Sequence, residues 1–198
     1  MKYVFLFIFI LFATGLSQND GSEALKNLQK KFDKIKTLSS DFSQYSGGKL
    51  NISGKFLYQK ENKTRIEIKN IFIISDGVTT YNYNKKDNKV IISNFDESDP
   101  NVLSLEKFIY DYPSRCTTID QISDGKNTII FLPKDNSLNF KKGVITLNSE
   151  SMISKIMITD KSGQSMDFVL SNLKTNLQID ADKFSFVPPD DAKVIDLR

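Results

Sequence analysis

The side chains whose spacing suggests chemistry in this sequence are a few carboxylates. Asp96, Glu97 and Asp99 stand close together, which suggests calcium, but the glycine and distal glutamate of a calcium-binding loop are missing. A hydrolase using Asp76, Asp96 or Asp99 is a second hypothesis, yet Asp76 and Gly77 together are typical of a hairpin turn. No nucleophile–base pair accompanies these carboxylates. We therefore expect a protein with no catalytic residue, no cofactor and no metal.

The composition excludes several further classes of site. The 198 residues include no His and a single Cys, so neither a Ser-His-Asp set nor a zinc site with His or several Cys ligands can be built. A formal charge of +3 gives no electrostatic footprint for nucleic acid. The lone Cys116 lies in a strand-like context, where burial is favoured over pairing between chains.

The first residues have the pattern of a secretory signal peptide. Lys2 precedes an unbroken apolar run at residues 3–12, and small residues follow at Gly15 and Ser17. The alternative, a membrane anchor, needs about 20 apolar residues. We expect cleavage after Ser17, which leaves residues 18–198 as a single exported domain.

An amphipathic helix is the first element predicted after this segment. Leu25, Leu28, Phe32 and Ile35 recur at intervals of three or four residues and form one apolar stripe. A second helix is predicted at residues 102–112, where it ends before Pro113. The helices must therefore cover something apolar.

Most of the remaining chain alternates with period two, and turn residues separate the segments. We count about ten strands, the last short one at Phe184 and Phe186, joined as an antiparallel sheet that curls or sandwiches. Two helices are few for so wide a sheet. Either the sheet fills its own interior or it leaves an apolar concavity for a hydrophobic ligand, and the pattern leaves both alternatives open.

Three motifs, taken together and in the order in which they occur along the chain, resemble those of a known family. They are Phe42-Ser43-Gln44, the run Ile74-Ser75-Asp76-Gly77 with Thr79 to Asn84 after it, and Phe184 to Pro189 followed by Val194-Ile195-Asp196. In this order the chain resembles the bacterial outer-membrane lipoprotein carrier family, LolA. The resemblance implies an α+β, mainly β fold: an incomplete, strongly curved antiparallel β-barrel with a helical lid.

The resemblance also implies a function. Such a protein is a monomeric periplasmic carrier that encloses the acyl chains of lipoproteins. It receives them from an inner-membrane ABC transporter and passes them to an outer-membrane acceptor, either a protein or the membrane itself. The alternative is a lipid- or lipoprotein-sensing or chaperone-like binding module that uses the same curved sheet.

The expected site residues follow from this resemblance and from the strand pattern. Lys60 stands where the family usually has a lid-latching arginine, and Lys lacks the planar fork of Arg. Arg65 is expected to be an outward strand cation. The lid is expected at Leu25, Leu28, Phe32, Ile35 and Phe108, and the cavity wall at Phe56, Tyr58, Thr64, Ile66, Ile68, Met166 and Phe168.

Overall fold

The computed structural model describes residues 22–95 and 104–198. The signal-peptide prediction at residues 1–17 lies outside these residues. So do the acidic loop with Asp96 and Asp99 and the start of the second predicted helix.

One open sheet of twelve strands dominates the described residues. Its spatial order is β12-β6-β5-β4-β3-β2-β1-β11-β10-β9-β8-β7. The strands are β1 (Thr37–Ser46), β2 (Lys49–Gln59), β3 (Lys63–Ile68), β4 (Ile71–Asp76), β5 (Thr79–Asn84), β6 (Lys89–Asn94), β7 (Cys116–Ser123), β8 (Lys126–Pro133), β9 (Phe140–Leu147), β10 (Ile153–Asp160), β11 (Ser165–Thr175) and β12 (Lys193–Asp196). The predicted fold class is confirmed, with two more strands than the expected ten or so.

Two antiparallel meanders make up this sheet, and β1 joins them. The first runs from β1 to β6 and the second from β7 to β11. β1 pairs with β2 on one side and with β11 on the other, where Phe42 lies opposite Leu170. β12 departs from the antiparallel pattern, because it pairs in parallel with β6. β7 and β12 are therefore the two edges.

The sheet is strongly curled, as the contacts of helix α1 (Glu23–Phe32) require. This helix packs on β8, and its Phe32 ring lies 5.4 Å from the Tyr58 ring on β2. Four strands lie between β2 and β8, so a flat sheet would place them about 24 Å apart at the usual strand spacing. A ten-residue helix is only about 15 Å long. The sheet therefore wraps around α1.

The inner face, which carries Phe56, Tyr58 and Ile66, holds the main core. Side chains from α1 and from eight strands, β1–β3 and β7–β11, meet there in one apolar cluster. Gly54 lies on the same face, where an added Cβ would stand 1.9 Å from the backbone oxygen of Glu67. Only glycine fits at this close approach of β2 and β3.

A second, smaller core lies on the outer face of β3–β6. Ile74, Val90 and Ile92 are buried there together with Phe184. The predicted strand at Phe184 and Phe186 is wrong: a 3₁₀ turn, Ala181–Phe184, brings Phe184 onto the sheet. Apolar residues at alternate positions are typical of a strand. Here, however, the backbone forms a turn that places Phe184 on the outer face of β3–β6.

The second helical segment is irregular. A π-helical turn, Lys107–Asp111, continues into the short helix α2, Tyr112–Arg115. The predicted end before Pro113 is wrong, because Pro113 occupies the first turn of α2, where a missing N–H costs nothing. Among the described residues, no helix is both long and apolar enough to cross a bilayer.

Candidate functional site

The start of α1 is fixed by its own cap and by strand β7. The Ser22 hydroxyl accepts a hydrogen bond from the Leu25 amide at 2.8 Å, which is N-cap geometry. Ser22 also donates to the carboxylate of Asp120, and the Ala24 amide donates to the same carboxylate at 3.0 Å. A negative charge at this end also suits the helix dipole. The amino-terminal end of α1 is thus tied to an edge strand.

The apolar stripe of α1 lies directly on the inner face. Leu25, Leu28 and Phe32 are buried, with exposed fractions of 6%, 0% and 2%. Ile35 is buried too, but the helix ends at Phe32, so Ile35 lies in the connection to β1 and not on the helix as the periodicity predicted. Phe32 packs between two tyrosines, with its ring 5.4 Å from that of Tyr58 and 6.1 Å from that of Tyr110. The predicted stripe and the inner face therefore form one interface.

Polar contacts also hold the other end of α1, among them one from the Lys31 ammonium to the Glu150 carbonyl. The Gln29 side chain donates to the Ile109 carbonyl at 2.8 Å. The Tyr110 hydroxyl donates to the Asp33 carboxylate at 2.6 Å, and the Lys60 ammonium donates to the Asp33 carbonyl at 2.6 Å. Lys60 therefore contacts the end of α1 directly, at the position where the family resemblance led us to look for a latch.

A buried tyrosine links the wall to the π-helical segment. The Tyr58 hydroxyl donates a hydrogen bond to the carboxylate of Glu106. Burial, and then the bond and charge of Glu106, raise the pKa of Tyr58 well above its ordinary value. Burial and the bond to Asp33 raise the pKa of Tyr110 in the same direction. Both hydroxyls therefore stay protonated donors at neutral pH.

The structure brings most of the predicted lid and wall residues together. Phe56, Tyr58 and Ile66 are buried in the same cluster as the stripe of α1. Ile68, Phe108 and Phe168 are partly buried and pack against that cluster. Two predicted wall residues, Thr64 and Met166, are not part of it.

Thr64 and Met166 share the inner face but not the apolar cluster. Thr64 is buried opposite Tyr58, outside the group of apolar side chains. Met166 has an exposed fraction of 39%, and its sulfur accepts from the Gln44 amide at 3.0 Å, towards the end of the sheet away from α1. The predicted wall is thus well covered near the lid and open beyond it.

Half of the wall was missed from the sequence. Ile129, Phe131, Ile145 and Ile156 on β8–β10 are buried in the cluster, and Ile129, Ile145, Ile156 and Phe168 lie in one register across four strands. The available signal was the apolar content of β8 and β9, where Ile129 to Leu132 form a continuous run and Val144 is next to Ile145. Such runs indicate strands but do not show which of their residues face α1.

The inner face beneath α1 is filled by side chains. In the described conformation the sheet stays open, and the side chains of α1 cover its inner face. Two open hollows lie elsewhere: one of about 290 Å³ between the start of α1 and the β7–β8 hairpin, and one of about 600 Å³ beside the β1–β2 and β10–β11 hairpins. Polar residues line much of both.

The residues considered for chemistry have structural explanations. The Asp76 carboxylate accepts hydrogen bonds from the amides of Val78 and Thr79, both at 2.8 Å, as the hairpin prediction expected. Cys116 is buried, and this burial raises the pKa of its thiol. Within residues 22–95 and 104–198, no cluster of three potential ligands could hold a metal ion.

Arg65 points to the outer face, as expected. Its guanidinium pairs with Glu67 at 2.6 Å, donates to the Lys183 carbonyl at 3.2 Å and lies 5.5 Å from the ring centre of Phe72. Arg65 therefore fastens the 3₁₀ turn to the sheet rather than contacting the lid.

Comparisons with known proteins agree with this architecture. A family model described as "Outer membrane lipoprotein carrier protein LolA" matches residues 33–187. The outer-membrane lipoprotein carrier protein of Haemophilus influenzae is 29% identical over 100% of this chain and 99% of its own length. An uncharacterized protein of Methanocaldococcus jannaschii is 25% identical over 97% of this chain, which spans 58% of that protein's length.

A solved structure shares the fold. The crystal structure of an uncharacterized conserved protein from Thermus thermophilus matches with a TM-score of 0.59 at 11% identity, covering 88% of this chain and 97% of the other. At this identity the likeness concerns the fold alone.

Proposed function

We propose a carrier role for this chain, which belongs to the LolA family of outer-membrane lipoprotein carrier proteins. In this proposal the exported protein, cleaved after Ser17, encloses the acyl chains of lipoproteins in the periplasm. It takes them from an inner-membrane ABC transporter and delivers them to the outer membrane. It binds cargo and catalyses no reaction.

The observation that carries the proposal is the interface between α1 and the inner face. Leu28 and Phe32 are almost fully buried, yet only the short connection at residues 33–36 links α1 to β1. A few polar contacts at its two ends complete the attachment. If α1 swings away, the stripe and the wall expose matching apolar surfaces, which are the surfaces that an acyl chain needs.

The free energy gained by enclosing an acyl chain and the free energy gained by closing α1 over the empty wall are of similar size. An acyl chain of ~16 carbons gains on the order of 12 kcal/mol on leaving water, at ~0.8 kcal/mol for each CH₂. Closing the lid buries four large apolar side chains, which contributes about 6–12 kcal/mol at 1.5–3 kcal/mol each. Cargo therefore competes with the lid for the same wall. The net affinity stays modest, and release remains feasible.

Lys60 is the proposed latch of the closed state. Its ammonium holds the Asp33 carbonyl, at the point where α1 ends and the connection to β1 begins. A single exposed contact of this kind contributes little, at most about 1 kcal/mol. It can bias the lid towards closure without preventing cargo from opening it.

Extraction of a lipoprotein from membranes tests the carrier role. The mature protein is incubated with membranes that carry lipoproteins, and the supernatant is examined for a soluble complex by mass spectrometry. We expect one lipoprotein for each carrier. Uptake of a fluorescent acyl probe without any extracted lipoprotein would favour the sensing module instead, and the absence of both would overturn the proposal.

Two neighbouring substitutions on β11 test the cavity face. Phe168→Glu places a charge on the inner face, whereas Val169→Glu places it on the outer face, and both positions are half-buried. We expect Phe168→Glu to lower probe affinity at least tenfold and Val169→Glu to change it less than twofold. Equal effects would mean that the inner face is not the binding face.

A further inference from the structure

The exposed side of α1 and the connection after it are strongly basic. Residues 22–36 hold five lysines and two carboxylates, Glu23 and Asp33. The surplus of three positive charges equals the formal net charge of the whole chain, +3. The lysines are Lys26, Lys30, Lys31, Lys34 and Lys36, and all five are exposed.

The neighbouring carboxylates are mostly engaged by other groups. The Asp33 carboxylate accepts from Tyr110, and the Glu106 carboxylate accepts from Tyr58. Asp120 is occupied at the start of α1 by Ser22 and the Ala24 amide. The positive charge of the segment is therefore presented outward.

Two exposed apolar side chains lie beside these lysines. Tyr110 and Leu177 have exposed fractions of 40% and 42%. The Asn176 side chain accepts from the Lys36 amide at 2.7 Å and donates to the Lys34 carbonyl at 3.3 Å, and the Leu177 carbonyl accepts from Thr37 at 2.6 Å. This network holds Leu177 next to the basic segment.

We propose that this surface docks onto an anionic lipid bilayer. We call it the basic lid surface and define it by Lys30, Lys34, Lys36, Tyr110 and Leu177. The lysines would lie on lipid phosphates, while the tyrosine ring and the leucine enter the headgroup region. Clustered lysines of this kind are attracted to the negative potential of anionic lipid headgroups.

The chemistry favours a membrane over an acidic protein as the partner. Every cation of the segment is Lys and none is Arg, whereas protein–protein interfaces are enriched in Arg and depleted in Lys. Lysine is a flexible point charge that adapts to a fluid array of phosphates. Docking also places the lid itself against the bilayer, where its apolar stripe could leave the wall for the interface.

Vesicle co-sedimentation tests this docking without cargo, so its outcome is separate from that of the carrier proposal. The mature protein is mixed with vesicles of phosphatidylcholine alone or with 30% phosphatidylglycerol. We expect binding to the anionic vesicles only, weakened at 0.5 M salt because the charges are screened. K30Q/K34Q/K36Q should weaken it about 100-fold, since each lysine near an anionic surface contributes about 1 kcal/mol.

A matched triple variant separates local charge from overall charge. K85Q/K86Q/K89Q removes the same charge at the β5–β6 hairpin, at the opposite end of these strands from the lid, and should change binding less than twofold. Leu177→Ser should weaken binding without altering its salt dependence. Equal losses in both triple variants, equal binding to neutral vesicles or no binding to anionic vesicles would each overturn the proposal.

Discussion

Tyr58 connects three parts of the site through one side chain. Its ring packs on Phe32 of the lid, and its hydroxyl donates to Glu106 ahead of the π-helical turn. Because the hydroxyl is buried, the folded protein strongly disfavours its ionisation. Tyr58 therefore contributes to the stability and, together with Tyr110, to its dependence on pH.

Tyr58→Phe keeps the ring but removes the hydroxyl. We expect a loss of about 1.5–3 kcal/mol in the free energy of unfolding at pH 7, because the partner is a charged group. A raised pKa in the folded state gives stability that is complete below the unfolded value of about 10 and is lost as pH rises above it. Urea unfolding at pH 7 and pH 11.5 should therefore show the gap between wild type and variant narrowing at the higher pH.

Tyr83→Phe is the control for that variant. Its hydroxyl lies 3.4 Å from the Asn88 side chain, a weak contact in a hairpin, so we expect a loss below about 0.5 kcal/mol. A Tyr58→Phe protein as stable as Tyr83→Phe at pH 7 would show that the buried hydroxyl does not support the fold.

At the scale of elements, local patterns were predictable and long-range partners were not. The stripe of Leu25, Leu28, Phe32 and Ile35 was predicted because helix periodicity is contained in the segment itself. The contribution of β8–β10 to the wall could not be predicted, because it depends on the pairing of β1 with β11. Lys60 was identified only by resemblance, and its contact with Asp33 depends on where α1 ends.

Locking the lid should prevent uptake of cargo. Ser22, the N-cap of α1, and Asp120 on β7 are in side-chain contact, so we choose the cysteine pair S22C/D120C for oxidation in a Cys116→Ala background. We expect the oxidised protein to lose binding of the acyl probe and the reduced protein to recover it, because only the bridge prevents α1 from moving. Fluorescence titration before and after reduction measures this.

The single variant S22C, treated in the same way, should bind the probe under both conditions. Full binding by the bridged protein would show that α1 is not a lid. Recovery on reduction shows that the protein stays folded throughout, so a loss of binding reports on the lid alone.

At the scale of the whole molecule, the sheet separates two cores. The inner core contains α1, and the outer core contains Phe184, Ile74, Val90 and Ile92. The outer core was not predicted, because Phe184 reaches it through a turn that has no periodic signal. Since opposite faces share a backbone but few side-chain contacts, changes on one face should add to those on the other.

Phe184→Ala tests that independence. We expect a loss of about 3–5 kcal/mol in the free energy of unfolding with unchanged probe affinity, because the cavity left behind is on the outer face. Val187→Ala is the control, since Val187 is 86% exposed in the same segment. If Phe184→Ala does not fold, Phe184→Leu serves in its place. Weaker probe binding in the folded variant would contradict the separation of the two faces.

The pairing of β1 with β11 has a consequence for how the chain reaches this fold. Asp41 and Asn172 are hydrogen-bonded although they are 131 residues apart in sequence. Contacts between residues that are far apart in sequence form late and slow the folding of β-rich proteins. Helix α1 precedes all twelve strands, yet its wall is complete only once β11 has arrived. Until β11 arrives, the apolar stripe of α1 therefore lacks its wall and stays exposed to water, so α1 is the first element to form and the last to be covered.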